Sequence, residues 1–299
     1  MPEQERSLIS AELDPPFTVI APRLPSAPFI FCSPHSGRVY PRAFLNSSRL
    51  DAHTLRKSED CYVDELFSGV AGLGVPLIAA RFPRAYLDVN REPYELDPEL
   101  FSEALPPFAN TQSVRVVGGL GTIARIVADA EEIYREPMSV ACALERIDRL
   151  YKPFHATLAR LIDDTRRRFG IAILIDCHSM PSASIGQPAP ARPDVVLGDR
   201  FGASCDAKLT RGLRAVFGEA GYETQLNRPY AGGFITEHYG RPYRGVHALQ
   251  VEVNRALYLD EATFAKTTGF HRLRQNLTRV MQRAMTDLPD LLGGRAAAE

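Results

Sequence analysis

The chain carries almost no excess charge of either sign: 35 basic and 36 acidic residues among 299 leave a formal net charge of −1. No overall basic field therefore argues for nucleic acid or an anionic membrane surface as a partner. The one basic run, Arg166-Arg167-Arg168, reads as a solvated helix end, where positive charge suits the macrodipole. Cysteine is sparse and unpatterned. Cys32, Cys61, Cys142, Cys177 and Cys205 are odd in number, widely spaced and free of any CxxC, which argues against a disulfide framework or a structural zinc knuckle. No apolar stretch reaches the roughly 18 residues of a membrane span. The opening Met-Pro-Glu-Gln-Glu-Arg is acidic and lacks the apolar core of a secretory signal. These absences point to a reducing cytoplasm. Internal repeats, an HExxH helix and a GxSxG elbow around Ser179 are missing too, so Ser179 does not read as a nucleophile.

What is present is an ordinary globular composition, 45% hydrophobic and 24% charged. Apolar strands alternate with amphipathic helices without a linker-like break. This predicts α/β architecture in a single catalytic domain over 1–299, with an irregular arm at 1–27 and a flexible tail at 286–299. The arm has a short strand near Phe17–Ile20. Phe29–Ser33 is a strand running into Pro34-His35-Ser36-Gly37. Ser58 could cap a helix whose apolar face holds Val63, Leu66 and Phe67, with Glu59 and Asp60 in its first turn. There the two acids either complement the helix dipole or aim a carboxylate into a site.

Val75–Ala80 reads as a strand, and the alternation of Tyr86, Asp88 and Asn90 against Leu87 and Val89 as another. Arg84 and Arg91 flank it, either as surface ion pairs or as a carboxylate clamp, since the planar guanidinium matches a carboxylate. Ser113–Val117 reads as a strand before Gly119-Leu-Gly121-Thr-Ile-Ala124, a GxGxxA match. A dinucleotide site would need a further strand ending in an acid about 20 residues on. Residues 138–169 instead form one long amphipathic helix, so a glycine-rich loop is the better reading.

Ile171–Ile175 is five apolar residues in a row, the mark of a strand buried on both faces, and it ends in Asp176-Cys177-His178-Ser179. The crevice outside the carboxyl ends of strands is where open α/β sheets bind ligands. A loop follows at 181–193, then a strand at 194–199, a helix at 204–219, a strand at 222–226 and a polar, glycine-rich loop at 227–242. The last strand, 246–255, holds Glu252 inside an apolar run, which costs free energy unless the carboxylate has a partner. A closing helix spans 261–285.

His35 and His178 each end an apolar strand, and Glu59 or Asp60 follows the first. Two histidines, a carboxylate and an open fourth position make up a catalytic zinc set. With Glu252 on a late strand and arginines around Asn90, these are the parts of a metal-assisted amide hydrolase acting on an acidic substrate. On Ser-Pro-His35-Ser-Gly, Asp60-x-x-Val-Asp64-x-Leu, Arg84-x-x-x-Asp88-Val-Asn90-Arg91, Asp176-Cys-His178-Ser179, Gly232-Gly233-Phe-Ile-Thr-x-His238-Tyr-Gly-Arg-Pro and Gly245-Val-His247-Ala-Leu-Gln-Val-Glu252, the chain resembles the N-formylglutamate amidohydrolase family. That family is similar in fold to zinc carboxypeptidases and aspartoacylase, so the resemblance implies a three-layer α/β/α domain with a central mixed sheet. Those relatives carry His-x-x-Glu at the first ligand site, and Arg38 stands at the Glu position here.

The resemblance implies Zn²⁺ on His35, Asp60 (favoured over Glu59) and His178, activating a water. It makes Glu252 the general base and Arg84 the oxyanion partner. Asn90 and Arg91 would bind a substrate carboxylate, and Arg228 and His238 would lie in the loop closing over the substrate side chain. Asp176 and Asp88 would orient ligand histidines. The implied reaction is hydrolysis of N-formyl-L-glutamate to formate and L-glutamate, in histidine degradation, with no nucleic-acid or membrane partner. Rival readings are a hydrolase of another N-acyl amino acid or a peptide terminus, a non-catalytic zinc- or carboxylate-binding protein, and a dinucleotide-binding oxidoreductase.

Overall fold

A computed structural model describes residues 2–127, 130–185 and 193–293. The chain's contacts divide it into two compact units, one of Met1–Thr18, Pro34–Cys61 and Ala79–Thr157, the other of Val19–Ser33, Tyr62–Ile78 and Leu158–Glu299.

The second unit is built on a seven-stranded sheet. Its strands are β1 (Phe17–Ile20), β2 (Phe29–Ser33), β3 (Leu77–Ala80), β4 (Ala172–Met180), β5 (Val195–Gly198), β6 (Thr224–Leu226) and β7 (Val246–Asn254), with β1 and β3 each reaching into the first unit at one end. Their order is β1-β3-β2-β4-β7-β5-β6. β2, β4 and β7 run parallel, β5 is antiparallel to β7, and β6 is parallel to β5, so the sheet is mixed as expected. β2, β4 and β7 are buried along their whole length. That is why β2 and the first half of β4 read as continuous apolar runs. The polar residues of β4 sit toward its carboxyl end, while β7 carries His247 near its start and Gln250, Glu252 and Asn254 in its second half.

The helices are α1 (Pro2–Glu12), α2 (Arg42–Ser47), α3 (Ala52–Arg56), α4 (Val63–Phe67), α5 (Val114–Val117), α6 (Val140–Arg146), α7 (Lys152–Phe169), α8 (Ala207–Glu219), α9 (Phe234–Tyr239) and α10 (Gly269–Asp287). In the second unit α4 and α9 pack on the sheet, and α10 packs on α4 and α8. A two-stranded hairpin, β8 (Leu259–Asp260) with β9 (Ala265–Lys266), precedes α10, and β9 takes residues that the sequence assigns to the start of the closing helix. Among the described residues no helix is long and apolar enough to cross a membrane.

Four local expectations are corrected. Ser58 caps no helix: its hydroxyl donates to Leu55 O at the end of α3, and α4 starts only at Val63, behind Tyr62 in a left-handed conformation (φ 60°). Residues 86–90 are turns, because Asp88 Oδ1 accepts the Asn90 N–H and folds the chain back on itself. Val114–Val117 is a helical turn, capped by the Ser113 hydroxyl, rather than a strand. The arm at 1–27 is irregular only beyond α1. Ile9 and Leu13 are buried, Arg6 pairs with Glu145, and Glu5 accepts from Arg146 and from the Tyr86 hydroxyl, so packing on α6 holds a helix too short to be stable alone. Of the tail at 286–299, α10 takes residues to Asp287 and a 3₁₀ turn takes Pro289–Leu292, while 294–299 lie outside the described residues, as do 186–192 of the Ser/Pro/Ala loop.

The Arg146 guanidinium lies 3.9 Å from the centre of the Tyr86 ring and is almost wholly buried. Removing the charge of Glu5 should therefore leave a buried cation without its anion. Glu5→Gln is expected to lower unfolding free energy by roughly 3 kcal/mol in urea titrations; a change below about 0.5 kcal/mol would mean that α1 is not anchored this way.

Candidate metal centre

In the first unit the site is assembled on three short segments. His35 follows β2 by two residues, in a turn where Gly37 is required: a Cβ there would stand 2.0 Å from Phe82 O. The Asp60 N–H donates to His35 O at 3.0 Å, so the two candidate ligands are tied through the backbone. His35 Nε2 lies 2.7 Å from Asp88 Oδ1, and His35 Nδ1 lies 3.4 Å from Asp60 Oδ2. An anionic Asp88 must accept a proton-bearing nitrogen. This makes Nε2 the N–H and turns the Nδ1 lone pair toward Asp60.

Asp88 is also held by Arg84, with Nη2 2.7 Å from Oδ2, and by Arg91 at 3.6 Å. Burial alone would raise its carboxyl, but Arg91, His35 and Arg84 outweigh burial and hold it well below the usual carboxylate range. Burial lowers the Arg91 guanidinium to about 10 against the pull of Asp88, which leaves it charged at neutral pH. Arg91 also donates to Leu120 O and Asn90 O. Asn90 is buried.

The glycine-rich segment braces this region. Thr122 O accepts from Asp88 N, Thr122 N donates to Glu95 O, and the Thr122 hydroxyl donates to Glu92 O. A Cβ on Gly121 would meet Glu95 O at 2.3 Å. Close backbone approach within the unit thus accounts for a glycine pattern that resembled a dinucleotide fingerprint, and nothing in the sequence distinguished Thr122.

Glu59 is committed elsewhere. Its carboxylate accepts from the Tyr40 hydroxyl at 2.6 Å, from Arg56 Nε at 3.2 and 3.3 Å and from the Cys61 thiol at 3.3 Å. Burial, followed by the neighbouring Glu59 charge, pushes the Tyr40 hydroxyl well above its ordinary value, which keeps it a donor.

In the second unit, the parallel register of β4 and β7 sets His178 beside Glu252 and Asp176 beside Gln250. Residues two apart on a strand share a face, so all four side chains stand on one side of the sheet. His178 Nε2 lies 3.0 Å from Asp176 Oδ2. Gln250 Nε2 donates to Glu252 Oε1 at 2.8 Å, while Gln250 Oε1 accepts the Gly233 N–H at 2.8 Å. Gln250, which the sequence did not single out, therefore joins Glu252 to the head of α9. On β7, His247 Nδ1 accepts the Asp206 N–H at the start of α8; burial lowers its pKa and favours the neutral acceptor form. Arg228 and His238 are exposed on the 227–240 segment, His238 stacked on Phe234, and neither joins the buried residues.

His35, Asp60 and His178, each at most 3% exposed, offer ligand atoms that all lie within 4.8 Å of one another. Two imidazoles and one carboxylate, with Asp88 and Asp176 on the histidines, fit a transition-metal ion chemically: the donors suit it and the carboxylates orient the rings. Glu59 is outside this group. Asp60→Ala is accordingly expected to strip bound metal, while Glu59→Gln keeps it and loses stability. Elemental analysis of the purified variants checks this, and full metal in Asp60→Ala would contradict it.

A family model described as N-formylglutamate amidohydrolase matches residues 27–259. The chain is 30% identical over 237 residues to an N-formylglutamate deformylase of Pseudomonas putida, covering 78% of this chain and 82% of the relative. It is 31% identical over 243 residues to an N-formylglutamate deformylase of Pseudomonas aeruginosa, covering 80% and 85%. The crystal structure of N-formylglutamate amidohydrolase from Ralstonia eutropha JMP134 superposes with a TM-score of 0.84 at 34% identity, over 90% of this chain and 96% of that one. An Agrobacterium tumefaciens structure at 17% identity and a TM-score of 0.63 shares the fold, over 91% and 95%. The match spans most of the chain and includes every residue of the buried cluster, and on this ground the chain belongs to the N-formylglutamate amidohydrolase family, a family of hydrolases.

Proposed function

We propose that this protein hydrolyses N-formyl-L-glutamate to formate and L-glutamate, using one zinc ion held by His35, Asp60 and His178. The observation that carries the reading is the buried two-histidine, one-carboxylate cluster in a chain of this family. Zinc is favoured over a harder cation because two of three protein donors are imidazoles. When bound, it supplies a Lewis acid that acidifies water and polarises the formyl carbonyl.

The chain's own residues are assigned the remaining work. Glu252 takes the proton of the attacking water and delivers it to the departing amine nitrogen as the C–N bond breaks. Its link to Gln250 supports this role, because the amide N–H donated to Oε1 holds the carboxylate in one orientation. Arg84 places positive charge for the developing oxyanion. Asn90 and Arg91 hold a substrate carboxylate, and Arg228 and His238 serve the glutamate side chain from their exposed segment. Asp88 and Asp176 orient the ligand histidines. This reading treats the whole chain as one catalytic domain. A cytoplasmic location and a place in histidine breakdown are part of the same proposal, and the second rests on the resemblance alone.

The test is formate release from N-formyl-L-glutamate by zinc-loaded protein, run beside N-acetyl-L-glutamate and a short peptide. The formyl substrate should be strongly preferred. Glu252→Gln keeps the shape of the side chain and removes the base, so kcat is expected to fall about 10²–10⁴-fold with zinc content unchanged. Wild-type kcat together with wild-type metal in that variant would end the mechanism.

A further inference from the structure

The helix over 140–169 is continuous but not uniformly α. Residues Ile147–Tyr151 form a π turn between α6 and α7, and the Lys152 N–H reaches back five residues to Ile147 O. Pro153 supplies a cause. It has no N–H to give, and its ring crowds the carbonyl four residues earlier, which a wider turn relieves. In a regular α-helix, residues five apart stand about 140° apart around the axis. A π turn, closing its hydrogen bond on five residues, brings them onto one face, much as residues four apart are placed in an α-helix.

The residues so aligned are Arg146 and Tyr151, with His155 one α-turn further on. Each meets a backbone carbonyl of one segment. Arg146 Nη1 donates to Tyr86 O at 3.1 Å, the Tyr151 hydroxyl donates to Arg91 O at 2.7 Å, and His155 Nε2 lies 2.8 Å from Val89 O. A carbonyl is only an acceptor, so His155 must carry its proton on Nε2 there. The Tyr151 and His155 rings lie 4.2 Å apart, tilted by 30°, which steadies both donors. Asp88 and Asn90 stand between these carbonyls, and the last carbonyl is that of Arg91 itself.

We propose that the π-turned helix is the positioning rail of the substrate-carboxylate segment, with Tyr151 and His155 as positioning residues that set Asn90 and Arg91. The proposal rests on the functional reading in which those two hold the carboxylate. Residues 86–91 are turns without a strand ladder, so their carbonyls depend on side-chain donors to fix them. A kink at Pro153 thereby serves recognition rather than merely bending a helix.

The test uses zinc-loaded, full-length Tyr151→Phe, His155→Leu and His155→Gln, with Arg91→Ala as reference. Kinetics are measured on N-formyl-L-glutamate and on its α-carboxamide. Arg91→Ala should raise KM for the acid and lose its selectivity over the amide. Tyr151→Phe and His155→Leu should each raise KM for the acid about fivefold, the weight of one hydrogen bond, with kcat within about twofold and little change on the amide. His155→Gln, which keeps a donor, should restore most of the loss. If Arg91→Ala acts as described while Tyr151→Phe and His155→Leu match wild type, the rail is refuted and the carboxylate assignment stands. If Arg91→Ala has no effect on KM, the carboxylate assignment fails. Hydrogen exchange at the amides of 86–91 then decides the rail by itself: faster exchange in Tyr151→Phe and His155→Leu, confined to that segment, supports it, and unchanged exchange overturns it.

Discussion

The hydrogen bond between His35 and Asp88 sets the terms for everything around the first ligand. It is 2.7 Å long and lies where both side chains are nearly sealed from water. A buried carboxylate stays ionised only with compensation, and Arg84 and Arg91 provide it. With the negative charge assured, the proton of His35 stays on Nε2, and Nδ1 faces Asp60. The guanidiniums that secure Asp88 are the same groups the functional reading assigns to the oxyanion and the substrate carboxylate. In that reading, metal binding and anion recognition are coupled through one aspartate.

Around that bond the fold supplies rigidity from two kinds of element. In the second unit, His178 and Glu252 stand on adjacent, fully buried parallel strands, where register alone fixes their spacing. In the first unit the candidate site residues lie on turns, and side chains and loops fix them instead: Thr122 on Asp88, Glu59 beside Asp60, and the helix donors on 86–91. Strand-borne groups cost the protein little beyond burial. Turn-borne groups need a surrounding set of donors and acceptors, which explains the density of buried polar residues at 33–36, 59–60 and 88–97.

This division also explains what could be read in advance. His35, His178 and Glu252 were visible because each breaks or ends an apolar run, and the α/β architecture followed from those runs. The carboxylate partner was legible only as a pair, since Glu59 and Asp60 are adjacent and chemically alike. Only three-dimensional contacts separate them, with Tyr40, Arg56 and Cys61 claiming Glu59. Residues 86–90 imitate a strand by alternation, but an aspartate accepting the N–H two residues on makes a turn. Ser58 resembles a cap, yet the helix it would open starts five residues later. Gln250 and Thr122 carry no local signal at all, because their roles are defined by partners 17 and about 30 residues away. Pro153 was the one available sign of the π turn and is hidden inside an otherwise regular amphipathic pattern.

The account stands or falls on whether Asp88 tunes the metal through His35. The direct measurement is the zinc dissociation constant of Asp88→Asn against a competing chelator, beside wild type. The asparagine keeps the shape and can still accept a hydrogen bond, but it lacks the charge that fixes the His35 proton and draws in Arg84 and Arg91. A dissociation constant about 10–100-fold weaker is expected, as for other carboxylates that orient a ligand histidine. Unchanged zinc affinity in a folded Asp88→Asn protein would contradict it.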